Sequence, residues 1–207
     1  MTTFNPYVIT NVQDGFSVQS QGYWQGDLQD DPAGRFALSA GVVAADETLP
    51  MWGGIAVYEK TAGSSTYDAV QGGAAPTIGR FLESMELAGS KIAGFSVFNG
   101  SYSLPTTPQS PVPLGSPGNS FNFVRVGTNN RVVVKCSTAV LALVGSEQPT
   151  AFSWDVTNQQ LIPATMGAPT VNATLLNVST NGATVSYDAG TGFATWNTTG
   201  NVAVIII

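Results

Sequence analysis

From Ser120 onward the sequence repeats one pattern. Short β-prone runs ("SFNFVRVG", "NRVVVKCSTAVLALVG", "AFSWDVTN", "QQLIPAT", "ATLLNVST", "ATVSYD", "GFATWN" and "NVAVIII") recur roughly every ten residues with turn residues between them. Such spacing predicts an antiparallel β-sandwich or barrel in the C-terminal half, over 120–207, with turns at Thr157-Asn158, Asn181-Gly182 and Gly190-Thr191-Gly192. In "AFSWDV" the residues Phe152, Trp154 and Val156 share one parity, so this strand is expected to have an aromatic face. The final run, Ala203 to Ile207, has no polar side chain, and left exposed it would template aggregation. It is therefore expected to be a closing strand, buried on both faces, that pairs with "GFATWN" through a turn at Thr198-Thr199-Gly200-Asn201.

Composition supports a mainly β chain. Charged residues make up 10% of the sequence, against about 25% in ordinary globular proteins. Gly, Ser, Thr, Asn and Gln stand in their place, which suits sheets and tight turns and suits long surface helices badly. Net charge is −6, and all 7 basic residues lie between Arg35 and Lys135. Neutralising phosphates needs a basic patch, so nucleic acid is not an expected partner. No run approaches the roughly 20 apolar residues of a membrane-spanning helix, and no membrane association is expected. The opening "MTTFNPYVITNVQDGFS" has neither the basic nor the apolar region of a signal peptide, which predicts synthesis and use in a cytosol.

Before the β-dense half the signals are mixed. Residues 1–30 are polar and Gln-rich but carry Phe4, Tyr7, Phe16, Tyr23 and Trp24 without a helical or alternating period. They read either as an extended N-terminal arm that packs its aromatics onto something else or as an irregular segment lying on the protein's own core. Residues 31–103 read as a β-rich region with one or two short helices. Asp31-Pro32 could cap a helix over 32–40, with a strand running into "GVVAA" as the alternative. "TLPMWGGIAVYEK" predicts a strand over 54–59, with Ile55, Val57 and Glu59 on one face and Ala56 and Tyr58 on the other. "PTIGRFLESMELAG" is the second helix candidate, bounded by Gly79 and Gly89, from the spacing of Phe81, Leu82, Met85 and Ala88. "SKIAGFSVFNG" predicts a strand packing through Ile92, Phe95 and Val97 and ending at the Asn99-Gly100 turn. Residues 104–119, with prolines at 105, 108, 111, 113 and 117, form a loop or linker.

Chemistry is scarce. The chain has no His, which removes imidazole-based triads and the common zinc sites. Neither a nucleophile elbow nor a glycine-rich phosphate cradle occurs. Cys136 sits among strand-like apolar neighbours and is expected to be a buried, unreactive thiol. Asp27, Asp30 and Asp31 could offer oxygens to calcium, although their spacing does not match an EF-hand loop and a solvated turn is the simpler reading. Glu83 and Glu86 would share a helical face as a carboxylate pair, with an ordinary solvated face as the simpler reading. Trp24, Trp52, Trp154 and Trp196 could build a sugar-stacking platform or serve as core. No catalytic residue, cofactor or metal is expected.

Two stretches, "DDPAGRFALSAGVVAADETLPMWGGIAVYEK" and "TVSYDAGTGFATWNTTGNVAVIII", cover about a quarter of the chain. They resemble the capsid decoration, or cement, proteins of tailed bacteriophages, most clearly at Leu49-Pro50-Met51-Trp52-Gly53-Gly54. The resemblance implies a β-rich, non-enzymatic virion protein, dimeric or trimeric, assembled in the bacterial host cytoplasm. It would bind the outside of the capsid and bridge subunits of the major capsid protein. The candidate contacts are the arm aromatics Phe4, Tyr7, Phe16, Tyr23 and Trp24 and the loop prolines Pro108, Pro111 and Pro113. A tail or baseplate component, or a virion-displayed carbohydrate-binding β domain, is the alternative.

Overall fold

A computed structural model describes residues 23–29, 37–60, 76–81, 91–98, 112–149 and 151–207. The fold is mainly β. Five short strands, β1 (Leu38–Val43), β2 (Ala56–Glu59), β3 (Thr77–Arg80), β4 (Gly94–Ser96) and β5 (Ser120–Arg125), close into a barrel in the order β1-β3-β2-β4-β5. Only the β1–β3 pair is parallel, and β5 returns antiparallel to β1 with Leu38 opposite Val124. Inward parity puts Val43, Val57, Ile78, Phe121 and Phe123 into one buried cluster, the barrel interior. At one mouth Arg125 pairs with Glu59 at 2.8 Å and donates to Ser39 Oγ at 2.8 Å, tying β1, β2 and β5 together.

After the barrel come β6 (Arg131–Lys135), a one-turn helix α1 (Thr138–Leu141), β7 (Phe152–Asp155), β8 (Gln160–Pro163), β9 (Thr170–Val171), β10 (Thr174–Asp188) and β11 (Phe193–Ile206). They build two three-stranded sheets, β10-β11-β6 and β8-β7-β9. The outward residues of the barrel, Ala56, Phe95 and Val124, join Val134, Cys136, Trp154, Leu161, Ala203 and Ile205 in a second core between barrel and sheets. The face separation expected for 54–59 is thus realised: Ile55 and Val57 enter one core, Ala56 and Tyr58 the other. Ile92, Phe95 and Val97 all pack into the second core.

Several expectations are corrected. The C-terminal half, expected to be a sandwich or barrel, forms two three-stranded sheets, a closed barrel is made by residues 38–125, and β5, expected to open the C-terminal unit, is its closing strand. Its strands are only three to six residues long, so no single run carries enough alternation to reveal closure. Within "PTIGRFLESMELAG" the residues Thr77 to Arg80 form strand β3 between the edges of β1 and β2, while the helix expected between Gly79 and Gly89 falls, from Leu82 onward, outside the described residues. Glu83 and Glu86 lie outside the described residues. Of the 32–40 alternatives, residues 38–40 are strand running into "GVVAA", and residues 32–36 lie outside the described residues. Conversely, the stretch after β6, read as strand, turns into α1 at Thr138.

The C-terminal hairpin also differs. Residues 193–206 are one continuous strand, so "GFATWN" and "NVAVIII" do not pair with each other; both pair with β10, and Gly190-Thr191-Gly192 belongs to the connection between β10 and β11. The glycines expected to make turns at 182 and 200 instead face each other across the ladder, beside register shifts in β10. A Cβ at Gly182 would fall 2.3 Å from the Val202 side chain, and one at Gly200 would fall 2.1 Å from Thr184 Oγ1. These glycines permit close strand approach at a bulge, not chain reversal. Burial of the terminal run on both faces is borne out: Ala203, Ile205 and Ile207 enter the large core, and Val202 and Val204 pack with Val133 beneath Tyr23.

Candidate functional site: a cationic cleft at the barrel mouth

The barrel mouth opposite the Arg125–Glu59 pair is closed by two segments far apart in sequence. The turn Met51-Trp52-Gly53-Gly54 enters it from below. Ser96 Oγ donates to Trp52 O at 2.6 Å and accepts from Ile55 N at 3.1 Å, which fixes the turn against β4. Gly54, at φ +77°, and Gly26, at φ +87°, let two backbones touch: a Cβ on Gly26 would stand 2.4 Å from Gly53 Cα. Gln25, buried, then bridges outward by donating to Gly54 O at 3.4 Å and accepting from Val185 N at 2.9 Å. The far half of the β10–β11 hairpin is thereby laid over the mouth, with Val185, Tyr187, Ala194 and Trp196 against the barrel core.

Arg80, at the end of β3, has the inward parity of Ile78 and points into this closure. Only 4% exposed, it lies over the Trp52 ring with the guanidinium carbon 4.4 Å from the centroid. Its Nε and Nη1, and the Trp52 Nε1, have no hydrogen-bond partner among the described residues. Burial lowers the Arg80 pKa from its ordinary value, while the charges of Glu47 and Tyr187 act in the opposite direction. Glu47 is itself buried; its Oε1 accepts from the Arg80 backbone N–H at 3.0 Å and from Tyr58 Oη at 3.3 Å. Burial raises the Glu47 pKa, and the hydrogen bond and charge of Arg80 oppose that rise.

Around Arg80 opens a cleft of about 300 Å³ walled by Trp52, Tyr187, Lys135 and the Thr157-Asn158-Gln159 turn. Gln159, at φ 50°, is immobilised by donating to Phe81 O and Val156 O and accepting from Trp154 Nε1. A second cavity of about 580 Å³ continues from it, sharing Lys135, Val185 and Ser186. Its walls include Ser137, Thr184 and Asn197, and Ser137 Oγ is also buried without a partner among the described residues. Native proteins satisfy nearly all buried polar groups, so their concentration here is a chemical signal.

The residues singled out from sequence fall differently. Trp24 is buried in the chain's own fold, bridged to Ala183 and edge-on to Trp196 at 4.8 Å, and Tyr23 Oη accepts from Asn177 Nδ2 at 2.7 Å. The end of the expected arm therefore lies on its own sheet. Phe4, Tyr7, Phe16, Pro108 and Pro111 lie outside the described residues. Pro113 is half-buried beside Val112, whose side chain enters the barrel core, and Gly115 exchanges backbone hydrogen bonds with Met51, so this end of the loop is docked. A tryptophan platform is not formed: Trp154 is 0% exposed and Trp52 is 6% exposed. Asp30 and Asp31 lie outside the described residues, among which no cluster of three metal-ligating side chains occurs. Cys136 is buried, with its thiol pKa pushed up to about 12 by burial, as its setting in sequence suggests. Sequence reading missed Arg80 as a site residue, because the signal lay in its strand parity and no strand was expected over Thr77 to Arg80. Compared with family models, curated proteins and solved structures, the chain matches none.

Proposed function

We propose that the chain is a virion structural protein of a tailed phage that binds the outer capsid surface and stabilises the shell by bridging major capsid subunits. One observation carries most of the support. The two stretches that resemble decoration proteins, separated by more than a hundred residues, meet at the barrel mouth. Trp52 and Tyr187 lie 5.7 Å apart between ring centroids, and Gln25 hydrogen-bonds to both stretches. They act as one unit. A pressure-resisting cement suits this build, since one buried core is shared between barrel and sheets. The acidity of the chain, net −6, keeps such a protein off packaged DNA. Phe193, Met166 and Leu176, at 73%, 102% and 46% exposure, are large apolar side chains left for a partner to cover. Mixing the purified protein with capsids that lack it, then imaging the particles, tests the reading. Ordered density across capsomer junctions is expected, and particles with no added density would overturn it.

A virion-displayed carbohydrate-binding domain is the second reading, and the cleft around Arg80 favours it. Trp154, being in the core, has no part in it.

A further inference from the structure

We propose that the cleft at the barrel mouth binds an acidic saccharide, with Arg80 receiving the carboxylate of a uronate-type sugar. The proposal does not depend on where in a virion, or on what, the protein sits.

The floor of the cleft is a guanidinium whose position is fixed twice over, by the β3 backbone and by the Trp52 ring beneath it. Its Nε and Nη1 are buried with no partner among the described residues, an unsatisfied guanidinium edge that the two oxygens of an entering carboxylate would match. Charge selects the class of anion. Of the side chains that line the cleft only Arg80 and Lys135 are charged, both positive, and the carboxylates of Glu47 and Asp155 stand behind its walls, accepting from the backbone N–H groups of Arg80, Thr157 and Asn158. Two cations backed by two carboxylates suit a monoanionic carboxylate and disfavour the second charge of a dianionic phosphate.

The walls select what carries the carboxylate. Tyr187, half-exposed, offers a ring face, and Thr157, Asn158 and Ser186 supply hydroxyl and amide groups at the rim. This combination of one aromatic face with several neutral donors and acceptors suits a pyranose ring. A cleft of about 300 Å³ accommodates one such ring, and the adjoining space of about 580 Å³, lined with Ser, Thr and Asn side chains, takes the units linked to it. Lys135 stands at the junction of the two.

The test is calorimetric titration of the full chain with D-glucuronate, D-glucose and inorganic phosphate. Saturable binding of glucuronate is expected, with glucose and phosphate at least tenfold weaker. Lys135→Gln should weaken glucuronate binding about tenfold, the value of one charge-assisted hydrogen bond, and Arg80→Gln should abolish it. If Arg80→Gln fails to fold, Tyr187→Ala, which removes the stacking face, replaces it and should also weaken binding about tenfold. No saturable binding of glucuronate would overturn the proposal, as would glucose or phosphate binding as tightly as glucuronate. Unchanged affinity in Lys135→Gln would overturn it too.

Discussion

Phe95, on the outer face of β4, meets Trp154 of β7 edge to face, their ring centroids 5.3 Å apart and their planes at 71°. Both rings are fully buried, and their contact joins the barrel to the C-terminal sheets. Replacing Trp154 by Ala should therefore cost about 3–5 kcal/mol, a large share of the roughly 5–15 kcal/mol that holds a domain folded. Chemical denaturation should show one cooperative transition at a lower midpoint, with barrel and sheets lost together. An unchanged midpoint, or a barrel transition that persists separately from a lost sheet transition, would contradict a shared core.

The last strand is the centre of its sheet, not an edge. Val202 to Ile206 pair with Lys135 to Arg131 on one side, and residues from Val202 onward pair with Ser179 to Thr174 on the other. Ending the chain after Asn201 should leave two unpaired strand edges and open the large core. Expression is expected to yield only insoluble material, and a soluble truncated protein with native circular dichroism would refute this.

Gly26 touches Gly53 backbone to backbone at a positive φ. Gly26→Ala adds both a forbidden contact and a left-handed backbone strain, for an expected loss of about 2–4 kcal/mol. Thermal melting should show a lowered Tm, and equal Tm values would mean the contact is soft.

Cys136 is covered by the core, and burial pushes its thiol pKa up to about 12. A thiol-specific reagent at neutral pH should label it only on unfolding, so that the labelling rate tracks denaturant concentration. Fast labelling of the native protein would show that this part of the core opens.

Two carboxylates give stability opposite pH dependences. Burial raises the Glu47 pKa above 4.5, so the native state holds its proton where the unfolded state has lost it, and stability falls as pH rises through that window. At Asp155 burial pushes upward, but hydrogen bonds from Asn158, Gln160 and Thr157 outweigh it and lower the pKa below 3.8. Its contribution is present above 3.8 and is lost as pH falls through the folded value. Glu47→Gln, which keeps the Oε1 acceptor for Arg80 N and Tyr58 Oη, should remove the decline above pH 4.5 while leaving the acid limb. Denaturation midpoints measured across pH would check it; a decline that survives the substitution would assign it elsewhere.

Local chemistry alone determined much of this protein. Its shortage of charge and wealth of Thr, Gly and Asn dictated sheets. The parity of "IAVYE" and "FSWDV" set which side chains meet which core, and the apolar end of the chain had to be buried on both faces, because these depend on period and hydrophobicity within a few residues. Tertiary structure decided what needs distant partners. "TIGR" became a strand because β1 and β2 flank it, Gly182 and Gly200 became a facing pair within a long hairpin, and the barrel closed through β5. Arg80 became the floor of a cleft for the same reason: its neighbours Trp52, Lys135 and Tyr187 come from three other parts of the chain. A buried charge acquires its meaning from what surrounds it, and only folding brings those groups together.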